Sequence, residues 1–197
     1  MSSKEDILQK YRTNVGQRYD MPRLDDIIAT TYPEPLVQFV KMSEAVGGQV
    51  IEVDEGRDIN TLIRELYPDA KEIASNLSEI TIATRNPDTV ADASSLNGTD
   101  VGIIRGQLGV AENGCIWIPQ QMKEKAVCFI SEHLVILLPK SQIVHNMHEA
   151  YRRILFDPTY DGYGTFISGP SKTADIAQVL VMGAQAARSV TILLMPA

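Results

Sequence analysis

A helix that stops on two glycines and runs straight into a strand sets the class of this chain. Pro33 and Pro35 open the helix, because proline in a first turn costs no hydrogen bond. Leu36, Val37, Phe39, Val40 and Met42 form its apolar side, Gly47-Gly48 ends it, and Gln49–Val53 follows as a short strand. This helix–glycine–strand unit predicts an α/β domain. The alternation continues with a helix over Ile59–Leu66, capped by Asp58 and closed by Pro68. A short strand is expected near Glu72–Ser75 and another over Ile80–Thr84, before a polar stretch from Asn86 to Asp100 that mixes loop and helical turn.

Beyond Asp100 the texture changes. Val101–Ile104 and Gly109–Ala111 lead to Glu112-Asn113-Gly114 and then Cys115–Ile118, and Asn-Gly between apolar runs predicts a hairpin. Val127–Ile130 is a further apolar run, and Leu134–Leu138 is a buried strand closed by Pro139. Ile143, Met147, Ala150, Tyr151, Ile154 and Leu155 recur at helical spacing and predict a helix ending before Asp157-Pro158. At the other end, Ile7, Leu8, Tyr11 and Val15 place one apolar stripe on a helix from about Lys4 to Val15. A polar arm follows, whose Leu24, Ile27 and Ile28 need a surface to pack on. Residues 1–32 therefore read as an N-terminal helical arm and 33–197 as a single domain.

Composition removes several classes of function. A net charge of −7 with no lysine or arginine run argues against nucleic acid as a partner. No apolar run reaches the ~18 residues of a membrane span. The polar start, Met1-Ser2-Ser3-Lys4-Glu5-Asp6, lacks a signal-peptide core. Cys115 and Cys128 form no CxxC pair, which fits a reduced, cytoplasmic protein. His145 and His148 are expected to share a helix face, but without acidic or cysteine partners at ligand spacing they predict no metal site. An iron–sulfur cluster held by one chain needs about four cysteines, so this chain is expected to carry no redox centre of its own.

The densest cluster of special-purpose residues is Ser168-Gly169-Pro170-Ser171-Lys172-Thr173-Ala174-Asp175-Ile176. Thr165-Phe166-Ile167 enters it as a strand, and the strand Val190–Leu194 follows. Gly169 supplies positive φ or a close backbone approach, and Pro170 fixes its own φ. Ser168, Ser171 and Thr173 offer hydroxyls, Lys172 a cation, and Asp175 a carboxylate to orient them. A strand passing through Gly-Pro-Ser into a short helical turn would aim backbone N–H groups at one point, a geometry suited to phosphate or carboxylate. The same residues also make an ordinary capped turn. Walker A spacing is absent.

The run Ser168–Ile176, with Val179, Val181, Gly183 and the strand Val190–Leu194, resembles the S-G-P-S-x-T-x-D-I signature of the lactate-utilisation (LUD, LutC-like) domain family. Val110–Ile116 is similar to that family's A-E-[TS]-G-[TS] hairpin, and Leu134–Pro139 with the helix from Gln142 matches in order and spacing. The resemblance covers about residues 100–197, is thinner over 33–84, and leaves the arm unmatched. It implies a NagB/RpiA/CoA-transferase-like fold: a three-layer α/β/α sandwich with a mostly parallel sheet and a small antiparallel lobe. It also implies an accessory or small-anion-binding role in oxidising L-lactate to pyruvate. Iron–sulfur clusters would then sit on partner oxidoreductases, and the ligand would be a small organic acid or phosphate-bearing molecule. Two departures stand out. Gln185 occupies the histidine of the family's G-x-H-G-P, which removes acid–base chemistry there. Asn113-Gly114-Cys115 replaces the hairpin's two hydroxyl residues.

Glu112-Asn113-Gly114 also matches the E-N-G triplet in which class I CoA-transferases place a nucleophilic glutamate, so acyl or CoA transfer through Glu112 is a competing reading. A non-catalytic assembly subunit is a third. Arg105 and Glu112 are candidates for the wall opposite the Ser168–Asp175 segment. Trp117 and Tyr163 are expected to pack, and His133, beside Glu132, to be a polar strand-end residue.

Overall fold

The computed structural model of the protein describes residues 3–16, 20, 27–154, 159, 162–173 and 181–196. In chain order the elements begin with α1 (Ser3–Asn14), α2 (Pro35–Ala45), β1 (Gln49–Glu52), α3 (Ile59–Leu66) and β2 (Ile73–Ala74). Then come β3 (Val101–Arg105), β4 (Leu108–Val110), β5 (Ile116–Pro119), α4 (Val127–Ile130), β6 (His133–Pro139), β7 (Ile143–Val144) and α5 (Met147–Arg153). The last are β8 (Gly164–Ile167), β9 (Lys172–Thr173), β10 (Val181–Met182) and β11 (Ser189–Met195).

The core is a five-stranded sheet in the order β1-β11-β6-β3-β2, with every neighbouring pair parallel. Its central strands are almost wholly apolar where both faces are covered, with the buried Thr191 of β11 a polar exception. On one face Val101, Ile103, Val135, Leu137 and Leu193 pack with Ile63 of α3 and with Ile80. On the other, Ile104, Leu134, Ile136, Leu138, Ile192 and Leu194 pack with Phe39 of α2 and Val127 of α4. Phe39 is fully buried, a contribution of about 2–3 kcal/mol. Helices on both faces of a mostly parallel sheet give the expected α/β architecture. A second sheet, β7-β4-β5-β8, is antiparallel apart from its β4–β7 pair. Its far side buries Leu108, Val110 and Trp117 against Ala150 of α5.

Local signals explain the boundaries. Asp58 caps α3 by accepting the N–H groups of Asn60 and Thr61, and bonds from the Thr61 and Asn60 side chains hold its carboxyl below the usual range. Asn146 caps α5 through the N–H of Glu149, so the helix starts at Met147 rather than at Ile143. Ile143 and Val144 instead form β7, and His145 lies off the helix, where its Nδ1 accepts the N–H of Tyr32 at 3.0 Å.

Ile80–Thr84 is not a strand. The Asn60 side chain accepts the N–H groups of Thr81 and Ile82 and donates to the Glu79 carbonyl, so a side chain of α3 takes the bonds a ladder would need. The arm's α1 forms as expected, with its stripe exposed: Ile7 and Tyr11 are 65% and 69% accessible. Ile27 and Ile28 are likewise exposed. Leu24 lies outside the described residues. Among the described residues no helix is long and apolar enough to cross a membrane.

Candidate functional site

Three stretches distant in sequence meet where β8 ends. Ser168 leaves the sheet and its hydroxyl donates to the Asn113 carbonyl at 3.2 Å. Gly169 turns the chain with φ +64°, and a Cβ there would stand 2.5 Å from the Val46 carbonyl oxygen. Only glycine lets the chain pass so close to the end of α2. Pro170 is buried beside Gly47. The Lys172 ammonium reaches back to the Val46 carbonyl, a favourable place for a cation because the last helical carbonyls point there.

The segment after Gly-Pro-Ser is extended, not helical: Lys172 and Thr173 form β9 and pair with β10. The Ser171 N–H donates to the Ala187 carbonyl and the Ser171 carbonyl accepts the Gly183 N–H, both at 2.9 Å. Ser171 thus clamps the two ends of the 183–187 bend. Asp175 lies outside the described residues.

The hairpin triplet has a structural explanation for each member. The Glu112 carboxylate accepts the Met147 N–H at 3.0 Å, at the start of α5. Asn113 Oδ1 accepts the Cys115 N–H in a side-chain turn. Gly114 has φ +67°, and a Cβ would lie 2.6 Å from the Ser43 nitrogen, so the turn packs directly on α2.

Arg105 stands apart from all of this. It ends β3 and pairs with Glu79, whereas Lys172, Ser171 and Gly169 lie beside the starts of β1 and β11. Because these strands are parallel, Arg105 and the Ser168–Thr173 segment lie at opposite ends of the strands, Arg105 at the carboxyl ends and the segment at the amino ends. The cysteines are no nucleophiles: burial pushes the thiols of Cys115 and Cys128 up to about 12, so both are protonated at neutral pH.

Ser168, Gly169, Ser171, Lys172 and Thr173 do not themselves line the cavity beside them; the bend that Ser171 clamps does, one of about 330 Å³ with Gly183–Ala186 and Arg188 on one side and Phe129–Glu132 on the other. Arg188 NH1 pairs with Glu132 Oε1 at 2.5 Å, and the Arg188 side chain remains 66% accessible. A guanidinium carries five donors, so this pairing leaves donors for an incoming carboxylate. Gln185, at the position of the family histidine, lines the same cavity. Sequence reading missed Arg188. Its signal was position: it is the one cation between the small-residue bend Gly183–Ala187 and the apolar run that opens at Val190.

A model of the LUD domain family matches residues 90–195. Curated relatives named Lactate utilization protein C align with the chain. That of Geobacillus thermodenitrificans is 27% identical over 80% of this chain and 67% of its own length. That of Geobacillus kaustophilus is 26% identical over 92% and 75%. That of Shouchella clausii is 31% identical over 50% and 44%. The crystal structure of a DUF162 family protein from Deinococcus radiodurans superposes with a TM-score of 0.65, 12% identity, and coverage of 85% of this chain and 99% of that one. That likeness is one of fold.

Proposed function

Because the chain belongs to the LUD domain family, we propose that it serves lactate utilisation as a cytoplasmic subunit that binds a small organic acid beside Arg188. Partner oxidoreductases supply the iron–sulfur centres in this reading, consistent with a chain that has only two cysteines, both buried. The observation that carries it is the clamp: the family's signature segment, through Ser171, fixes the bend that packs against Arg188 on one wall of the 330 Å³ cavity, with Phe129–Glu132 opposite. A 2-hydroxy or 2-keto acid offers a carboxylate to the guanidinium and a second oxygen to the Gln185 amide. Neither contact moves a proton, in keeping with glutamine where the family has histidine.

Calorimetric titration of L-lactate, pyruvate and phosphate into the wild type and Arg188→Gln tests this. The organic acids are expected to bind the wild type, and the variant to bind them about tenfold more weakly, the loss of one charge-assisted contact. Equal binding by the variant, or no binding of either acid, overturns the assignment.

A further inference from the structure

A second cavity, of about 380 Å³, opens at the same amino ends of the strands, beyond the Arg188–Glu132 pair. Leu66, the last residue of α3, and Tyr67–Ala70 after it form one wall, and Asp100, Glu132 and His133 the other. Its two rings are held from behind. The Tyr67 hydroxyl lies 2.8 Å from Thr191 Oγ1, and His133 Nδ1 lies 2.7 Å from Ser189 Oγ. Ser189 and Thr191 are two apart on β11 and so point to one face, and the register sets Ser189 directly opposite His133. Thr191 is only 1% exposed, on a face otherwise built from Val135, Leu137 and Leu193. Burying a hydroxyl there is costly unless it is bonded, and it is bonded to the Tyr67 hydroxyl at 2.8 Å and donates to Gln49 Oε1 at 3.4 Å. The rings sit 5.0 Å apart, tilted by 37°.

The lining carries three carboxylates, of Asp69, Asp100 and Glu132, the last paired with Arg188, and the His133 ring. No lysine or arginine is among the described lining residues, although Lys71 stands close enough for its charge to act on Asp100. Asp100 is kept ionised by the N–H groups of Glu72 and Lys71, which donate to Oδ2 at 2.8 and 2.7 Å and hold the carboxyl below its usual range. Leu66, Pro68 and Ala70 supply apolar surface. Fixed aromatic faces, apolar walls and an acidic rim select one ligand class.

We propose that this cavity binds a small organic cation, an apolar or aromatic body bearing one protonated amine, with the body on Tyr67 and Pro68 and the ammonium toward Asp69 and Asp100. The assignment is independent of the organic-acid reading, since the two cavities share only Glu132 and differ in the charge they present.

Three probes of similar shape decide it: benzylammonium, benzyl alcohol and benzoate, each titrated while the ring-proton NMR signals of the three histidines are followed. Titrations run in the wild type, in Arg188→Gln, which disables the neighbouring anion cavity, and in the exposed variant Asp69→Asn. Benzylammonium is expected to shift the His133 signals saturably in both the wild type and Arg188→Gln. Asp69→Asn should weaken that binding about two- to fivefold. Three results would each overturn the proposal. They are an unmoved His133, an equal response to benzyl alcohol or benzoate, and unchanged affinity in Asp69→Asn.

Discussion

The two ends of the parallel strands are finished in opposite ways. At the carboxyl ends, charge closes the surface: Arg105 pairs with Glu79, and Lys140 with Glu52 at 2.6 Å. At the amino ends, the charged pair Arg188–Glu132 stands between two cavities, and the family signature runs alongside. Open α/β sheets usually bind ligands outside the carboxyl ends of their strands. Here the chain leaving β8 folds back along the end of α2 and enters β11 from the amino side, so the Ser168–Thr173 segment and the bend it clamps are delivered to that end. On the proposed reading, what separates Arg188 from Arg105 is the 330 Å³ cavity that Arg188 lines.

The sharpest way to break this contrast is Gly114→Ala. A Cβ at φ +67° would press on the Ser43 and Met42 backbone, which cannot swing away. We expect a loss of about 3 kcal/mol, read as a fall in Tm of roughly 6–12 °C for a chain of this length. An unchanged Tm would mean that the hairpin is not seated on α2.

Asp100→Ala comes next, with an expected cost of about 1–2 kcal/mol after allowance for partial exposure, because two N–H groups lose their acceptor. The folded carboxyl titrates below its unfolded value of about 3.9, so its stabilisation is complete above that pH and fades as pH falls through the lowered value. Urea midpoints should thus separate wild type from variant at pH 7 and converge toward pH 3. A gap that widens in acid would reverse the sign of this account.

At the level of binding, Arg188→Gln should weaken organic-acid affinity about tenfold while Arg105→Gln leaves it unchanged, since the latter lies at the far ends of the strands. Calorimetry on the pair compares the two ends directly. The smallest effect is Lys172→Ala, expected to cost about 0.3–1 kcal/mol because an exposed ammonium leaves the end of α2. Differential scanning calorimetry against Lys140→Ala, at the other end, should find both changes similarly slight.

Elements defined by local chemistry were legible in the sequence. The Asp58 cap and Pro68 bounded α3 to the residue, and continuous apolar runs located β6 and β11. Elements decided by a distant partner were not. Ile80–Thr84 alternates as a strand should, yet Asn60 captures its N–H groups. Ile143-Val144 has the spacing of the helix behind it but pairs with Gly109-Val110, thirty-odd residues earlier. The signature segment was found, and its positive-φ glycine with it, whereas the helical turn expected after Pro170 proved to be β9. Ser189 and Thr191 share a face by the two-residue strand period, but nothing in the spacing of Tyr67 or His133 points to them. Parallel register sets His133 opposite Ser189, and Tyr67 at the end of α3 reaches Thr191, and no motif records either pairing.

The strand order carries a consequence for how the protein is made. Among the described strands β1 has a single neighbour, β11, so Gln49 meets Thr191 across a separation of 142 residues. A ribosome that has released β1 and α2 has produced a unit with no partner on which to close. The strand must wait, its edge unpaired, through the synthesis of everything up to β11. At roughly 5–20 residues per second that wait lasts about 7–28 s, long enough for chaperones to be the strand's first company.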